Sequence, residues 1–446
     1  MGGKMRSIVW DITSKCNLRC KHCYNAEKYF NHEVEDLNLS EIKKMFIKLK
    51  KENYTKVNIL GGEPLFSDHF IAVIELLTEM DFDIMVTSNG ILLNSDLIEI
   101  ILLSNISTFL VSIDGSDSFS NDLVRGNGSF VKATNNLKEL ISKNEYRDGK
   151  MNIGIAFTIT KSSINNITGM VDLCKKLNVS NLFVTPLMEA GNAVNDNFNS
   201  LKTTSNEILD SIEKMIKYSQ QNYPSLSFLI DARPSVIYYL KKKYPINLGY
   251  TIGFTRCSFL DGQLYVHSTG EVHPCGLHSL EIGKESQKKG YFNANEAPNI
   301  RNLVAFRDAF SSKYFSNFLS SMSLLEKKSY HEMCLKCPVK SDCYPCPFQY
   351  KGTMYECDWA FLKLGEFEKT VGDWLINKKI NIDISKYVED ENYLEVFSSL
   401  AEGANLDDSY NNYRIFSDRE LSFLDFIDVL IYFEKRFLIK IGREKV

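Results

Sequence analysis

Three cysteines fall close together in the spacing Cys16-x3-Cys20-x2-Cys23. Thiolates are soft ligands that suit iron–sulfur clusters and zinc. Three thiolates this close can each take one iron of a cubane, leaving the fourth iron without a protein ligand. An open coordination position separates a catalytic metal site from a structural one, and its expected occupant is a chelating small molecule. A zinc site and a set of core thiols are the competing readings. Zinc wants a fourth nearby Cys or His, and His22, lying between two of the ligands, is badly aimed for it.

The chain has 446 residues and 11 cysteines. A second, looser group holds Cys257, Cys275, Cys334, Cys337, Cys343, Cys346 and Cys357. Its two C-x2-C pairs suit a zinc ribbon as well as iron–sulfur ligation. Cys174 stands apart on an apolar helical face with Ile167, Met170, Val171 and Leu177, where a buried structural thiol is expected. Residues 1–6 are short and polar and develop no apolar stretch of a secretory signal. A cytoplasmic, reducing location is therefore expected, in which cysteines serve metals rather than disulfides.

Composition narrows the classes further. At 44% hydrophobic and 24% charged residues, wholesale disorder is excluded. Lys+Arg number 52 against Asp+Glu 56, a net charge of -4, so no field recruits nucleic acid or an anionic membrane. The most apolar runs, 98–103 and 423–433, are too short or too interrupted by charge to span a bilayer.

The elements that must position the first cysteines follow an α/β alternation. Strand patterns lie at 7–13, 56–60, 83–88, 109–113, 153–160 and 181–185, with helical patterns between them. Ser40 and Ser95 are expected helix caps, the first ahead of Ile42, Met45, Phe46 and Leu49. Repeated β-α units mean a parallel sheet with right-handed crossovers. Six of them fit a partial barrel or an open doubly wound sheet, and either puts the site at the carboxyl ends of the strands. Gly61-Gly62-Glu63-Pro64 follows the second strand. Ser88-Asn89 follows the third, Ser112 and Asp114 end the fourth, and Leu187 follows the sixth. The glycines allow close backbone approach to a ligand and Glu63 can pair with an ammonium group, although each motif alone is also ordinary turn chemistry.

From about residue 236 short strands and turns replace the alternation, with a hairpin expected at 263–267 and 271–274. After about 361 the cysteines stop and helical patterns return. The expected division is 1–235, 236–360 and 361–446.

Taken together, the cysteine triplet after a first strand and the Gly-Gly-Glu-Pro segment after a second resemble the radical S-adenosylmethionine (radical SAM) superfamily. The resemblance implies a partial (β/α)6 barrel and a [4Fe–4S] cluster on Cys16, Cys20 and Cys23, its open iron chelated by SAM. One electron then splits SAM, and a 5'-deoxyadenosyl radical abstracts hydrogen from the substrate. It further implies SAM contacts from His22, Tyr24, Gly61, Gly62, Glu63, Pro64, Ser88, Asn89, Ser112, Asp114 and Leu187. The later cysteines resemble the SPASM extension, a small Cys-rich α+β domain with two auxiliary [4Fe–4S] clusters. That resemblance assigns Cys334, Cys337, Cys343 and Cys357 to one cluster and Cys257, Cys275 and Cys346 to the other. The family usually has three residues between its last close pair, where Cys343 and Cys346 have two. Residues 122–130 (DLVRGNGSF) resemble a segment of peptide-modifying SPASM enzymes. The implied substrate is a peptide or protein, typically a short ribosomal precursor that is cross-linked or oxidised. The implied electron donor is of the flavodoxin or ferredoxin class. Rivals are formylglycine formation on a sulfatase, a small-molecule reaction such as porphyrin side-chain decarboxylation, and a non-catalytic metal scaffold. Sulfatase maturation is disfavoured because Gly276, not an Asp, follows Cys275.

Overall fold

The computed structural model describes residues 6–26, 34–146, 151–187, 191–194, 200–244, 262–276, 297–328 and 357–364, with 248–250, 259, 337 and 339. One ten-stranded sheet organises them, in the order β10-β9-β1-β2-β3-β4-β5-β6-β7-β8. Its strands are β1 (Arg6–Asp11), β2 (Tyr54–Leu60), β3 (Asp83–Ser88), β4 (Ile106–Ser112), β5 (Asn152–Ile159), β6 (Asn181–Pro186), β7 (Ser227–Ile230), β8 (Leu248–Tyr250), β9 (Gln263–Val266) and β10 (Val272–His273). Neighbours from β1 to β8 pair in parallel. The α/β reading therefore holds, and the six expected strands are all present.

Two features extend it. β7 has only four residues, too few to stand out as a pattern, yet it pairs with β6 over its whole length. The expected hairpin forms with Val272 opposite Val266, and its first strand then pairs in parallel with β1, Ser7 facing Gln263. The Cys-rich region thus begins as a continuation of the sheet.

The crossover helices are α1 (Leu39–Lys51), α2 (Phe70–Glu79), α3 (Ser95–Leu103), α4 (Ser118–Arg125), α5 (Ser129–Tyr146), α6 (Gly169–Leu177), α7 (Ser205–Asn222) and α8 (Pro234–Lys243). α1 buries Ile42, Met45, Phe46 and Leu49, the helical stripe read from the sequence. Trp10 and Phe46 meet edge to face at 5.3 Å, and Phe46 meets Phe82 at 5.4 Å, which fixes α1 against β1 and the start of β3.

Both expected caps are corrected. Asn38 caps α1, accepting from the Glu41 N–H at 3.1 Å while Glu41 Oε2 accepts from the Asn38 N–H at 2.9 Å. Ser40 lies inside the first turn. Asn94 caps α3 through the Leu97 N–H at 2.9 Å, which frees the Ser95 hydroxyl to donate to Glu139 at 2.6 Å. In both cases an equally good capping residue, an asparagine, stands upstream of the serine, and in α1 Glu41 completes a capping box with it.

A last helix, α9 (Lys313–Lys328), and a short helix over 357–364 follow. The expected helical tail beyond 364 lies outside the described residues. No described helix is long and apolar enough to cross a membrane.

Candidate active site

The loop after β1 carries the cysteine triplet, and its path is set from several sides. The Thr13 hydroxyl donates to Asp36 at 2.7 Å, and the Ser14 N–H reaches the same carboxylate at 3.1 Å. Pairing with the β2 side continues past the strand ends, from the Gly62 N–H to Thr13 O at 2.8 Å and from the Glu63 N–H to Lys15 O at 2.9 Å. A Cβ on Gly62 would stand 2.3 Å from Lys15 O, and Gly61 holds φ +141° with Thr13 O at 2.6 Å from its own would-be Cβ. The two glycines line the cavity, but the contact that excludes a side chain there is with the cysteine loop itself. Their first task is to let two backbones touch.

Cys16, Cys20 and Cys23 all line one cavity of ≈ 370 Å³ at the carboxyl ends of the strands. His22, Tyr24, Gly61, Gly62, Glu63, Ser88, Asn89, Ser112 and Leu187 line it too. Pro64 and Asp114 do not. Pro64 instead opens a 3-10 turn whose entry Glu63 caps.

Glu63 is 1% exposed and accepts from the Ser88 hydroxyl at 2.6 Å, the Asn89 N–H at 2.7 Å and the Leu65 N–H at 3.1 Å. Burial pushes its carboxyl above the ordinary range, and these hydrogen bonds offset only part of that rise. Asn89 also donates from Nδ2 to Asn17 Oδ1 at 2.8 Å, tying β3 to the cysteine loop.

Asp114 is fully buried behind the cavity. Its Oδ1 accepts from the Thr158 N–H at 2.8 Å. Its Oδ2 meets His22 Nε2 at 2.8 Å and Arg125 Nε at 2.5 Å. Burial would raise this carboxyl, but Arg125 and His22 outweigh it and hold it well below the usual carboxylate range. The resemblance implies a SAM contact from Asp114; in the structure Asp114 stands outside the cavity lining, its carboxylate against Thr158, His22 and Arg125.

Several lining residues escaped the sequence reading: Arg125, Thr158, Thr185 and Asp231. Arg125 lies within the 122–130 segment whose resemblance is to peptide-modifying SPASM enzymes. Thr158 and Thr185 sit near the ends of β5 and β6, their hydroxyl oxygens 3.3 Å apart, and Asp231 follows β7. Strand-end position is the signal that could have found them.

The three thiols are half-buried on the cavity wall. Burial pushes Cys16 up to about 11 and Cys23 up to about 12, and it raises Cys20 as well. Thiols so raised are poor nucleophiles on their own; a metal group that binds thiolates turns the same set into ligands. Among the described residues no three Cys, His, Asp or Glu side chains are grouped as a single metal ion needs. The cavity volume lies in the ~300–1,000 Å³ range of small-molecule sites. Three soft donors on the wall of a cavity that size fit an iron–sulfur cluster with a chelating ligand beside it.

Of the second cysteine group, Cys275 and Cys337 are half-buried and Cys357 is buried. Cys357 starts the 357–364 helix and accepts from the Ser235 hydroxyl of α8 at 3.3 Å. Cys257, Cys334, Cys343 and Cys346 lie outside the described residues. Cys174 is buried on α6, its thiol pushed up to about 12 by burial.

Comparison with known proteins gives a consistent set. The radical SAM superfamily profile matches residues 10–167. An AdoMet-dependent heme synthase of Nitratidesulfovibrio vulgaris is 21% identical over 350 residues, covering 75% of this chain and 87% of that protein. The mycofactocin maturase MftC of Mycolicibacterium smegmatis is 25% identical over 184 residues, 41% of this chain and 45% of that one, so the match spans under half of the maturase. Streptococcus suis SuiB bound to S-adenosylmethionine superposes with a TM-score of 0.55 at 19% identity, covering 79% of this chain and 75% of SuiB. The structure of anSMEcpe with bound AdoMet and the Kp18Cys peptide gives 0.59 at 16% identity, covering 81% and 96%. At these identities the two structures speak for the fold.

Proposed function

We propose, from the premise that this chain carries a radical SAM domain over residues 10–167, that it cleaves SAM reductively and takes hydrogen from a peptide or protein substrate. The observation that carries the proposal is the convergence of Cys16, Cys20 and Cys23 on one strand-end cavity. When bound there, the iron–sulfur cluster supplies single-electron cleavage of the SAM sulfonium and hence a hydrogen-abstracting radical.

The chain's own residues have separate tasks in this reading. Cys16, Cys20 and Cys23 hold the cluster. Glu63, fixed by Ser88 and Asn89, offers a carboxylate at the cavity wall. Tyr24 and Leu187 supply apolar wall beside it and help keep water out. The later cysteines hold auxiliary clusters within a second domain over 236–360, next to a barrel over 1–235 and an extension over 361–446. A cytoplasmic protein of the flavodoxin or ferredoxin class supplies the electron.

The peptide substrate is supported by the SuiB structure bound to the precursor peptide SuiA and by the anSMEcpe complex with its peptide. Modification of a ribosomal precursor by cross-linking or oxidation fits these neighbours. A porphyrin-type substrate is the second reading, favoured by the longer match to the heme synthase. Formylglycine formation stays disfavoured by Gly276 after Cys275.

The test replaces all three residues, Cys16→Ala, Cys20→Ala and Cys23→Ala, in anaerobically reconstituted, reduced protein. 5'-Deoxyadenosine production should fall to background. Unchanged production overturns the proposal.

A further inference from the structure

The buried network behind the cavity assigns a task to two residues that the sequence reading treated as SAM contacts. We infer that Asp114 is a positioning residue for the cysteine loop, acting through His22 to fix the Cys20–Cys23 segment and through Arg125 to hold a cation at the cavity wall. The inference rests on the cluster reading given above.

Asp114 collects three elements on one carboxylate. Oδ1 takes the Thr158 N–H of β5 at 2.8 Å. Oδ2 lies 2.8 Å from His22 Nε2 of the cysteine loop and 2.5 Å from Arg125 Nε of α4, two ion-pair contacts at one oxygen. The Asp114 N–H donates to Asn121 Oδ1 of α4 at 2.9 Å. A fully buried carboxylate is costly unless paired and hydrogen-bonded, and here every partner carries a piece of the site. His22 and Arg125 line the cavity while Asp114 stands outside it.

His22 is well placed to carry the constraint. It sits one residue before Cys23 and two after Cys20. Its Nδ1 has no hydrogen-bond partner, so the Nε2 contact to Asp114 is what orients the ring. The adjacent main chain is pinned to the same helix, the Lys21 N–H donating to Val124 O at 2.9 Å. Across the loop, Asn192 donates from its N–H to Cys23 O at 3.0 Å and from Nδ2 to Cys20 O at 3.1 Å. The 20–23 segment is therefore clamped from both sides, and Asp114 is the charged jaw. Arg125 lines the same cavity as Cys20 and Cys23. Outer partners that orient metal ligands typically matter about 10–100-fold in metal affinity or activity.

The test uses the full chain, anaerobically reconstituted and reduced. It measures iron content, affinity for SAM by spectroscopic titration, and the paramagnetic resonance line shape with and without SAM. Asp114→Asn and His22→Phe should each weaken SAM binding about tenfold or more and alter the SAM-bound line shape. His22→Gln, whose amide nitrogen can stand where Nε2 stands, should stay within about threefold of wild type. SAM affinity and line shape unchanged in Asp114→Asn and His22→Phe overturn the inference. So does His22→Gln falling as far as His22→Phe, because the ring and not its contact with Asp114 would then matter. If Asp114→Asn fails to fold, the His22 pair decides by the same criteria. A wild-type protein whose spectrum ignores SAM defeats the cluster reading itself, a different result from any variant effect.

Discussion

The two cysteine groups are held in different ways. Cys16, Cys20 and Cys23 share one loop, and that loop is gripped by β2 through Gly62 and Glu63, by β3 through Asn89, and by β4 through Asp114. In the second group, Cys275 follows β10, whereas Cys357 starts a helix seated on α7 and α8. There Trp359 Nε1 donates to Asp210 at 2.9 Å, Trp359 meets Tyr239 edge to face at 5.2 Å, and Lys363 lies 3.7 Å from Glu213. The first site is assembled by neighbours of the strand ends. Among the described residues of the second group, Cys275 and Cys357 stand on segments far apart in sequence, the latter held by its contacts with α7 and α8.

The comparison can be broken from either side. The largest effect is expected for Cys334→Ala with Cys337→Ala: modified substrate should disappear while 5'-deoxyadenosine formation persists at a measurable rate. Unchanged product yield would make the second group purely structural. Next comes Trp359→Ala, which removes a side chain only 5% exposed. It should cost about 3–5 kcal/mol in denaturant unfolding, and it should lower product yield more than SAM cleavage. Equal losses of both would put the two cysteine groups under one structural control.

Glu63→Gln should leave iron content near wild type and weaken SAM binding about tenfold, because the engaged carboxylate is lost while the shape is kept. Wild-type SAM affinity in that variant would remove Glu63 from the site. The smallest effect concerns Glu213, which accepts from Tyr239 at 2.5 Å, Lys243 at 2.7 Å and Tyr244 at 2.8 Å. Burial would raise this carboxyl, but these partners hold it below its ordinary value. A depressed carboxyl contributes stability above its unfolded pKa and loses it as pH falls through the folded value. Glu213→Gln should therefore be less stable than wild type near pH 7, with the gap closing in acid. A gap independent of pH would show that charge plays no part.

How far the sequence could be read follows from the same contrast. Residues close in sequence are constrained by local geometry, so Cys16–Cys23 and the α1 stripe of Ile42, Met45, Phe46 and Leu49 could be placed on their elements without coordinates. The Gly-Gly-Glu-Pro turn could be located but its reason could not. Only the structure shows that Gly61 and Gly62 face the cysteine loop's backbone, and that Glu63 is engaged by Ser88 and Asn89. The resemblance implies a ligand contact from Asp114; its buried surroundings include Arg125 and Thr158, which no local pattern connects to it. β9 beside β1 is likewise a pairing between segments over 250 residues apart, beyond the reach of periodicity.

The most direct measurement is the paramagnetic resonance spectrum of the reduced, anaerobically reconstituted protein before and after addition of SAM. Binding at an iron that lacks a protein ligand predicts a changed spectrum, and loss of that change in the Cys16→Ala, Cys20→Ala, Cys23→Ala protein. A wild-type spectrum that is identical with and without SAM would contradict the account.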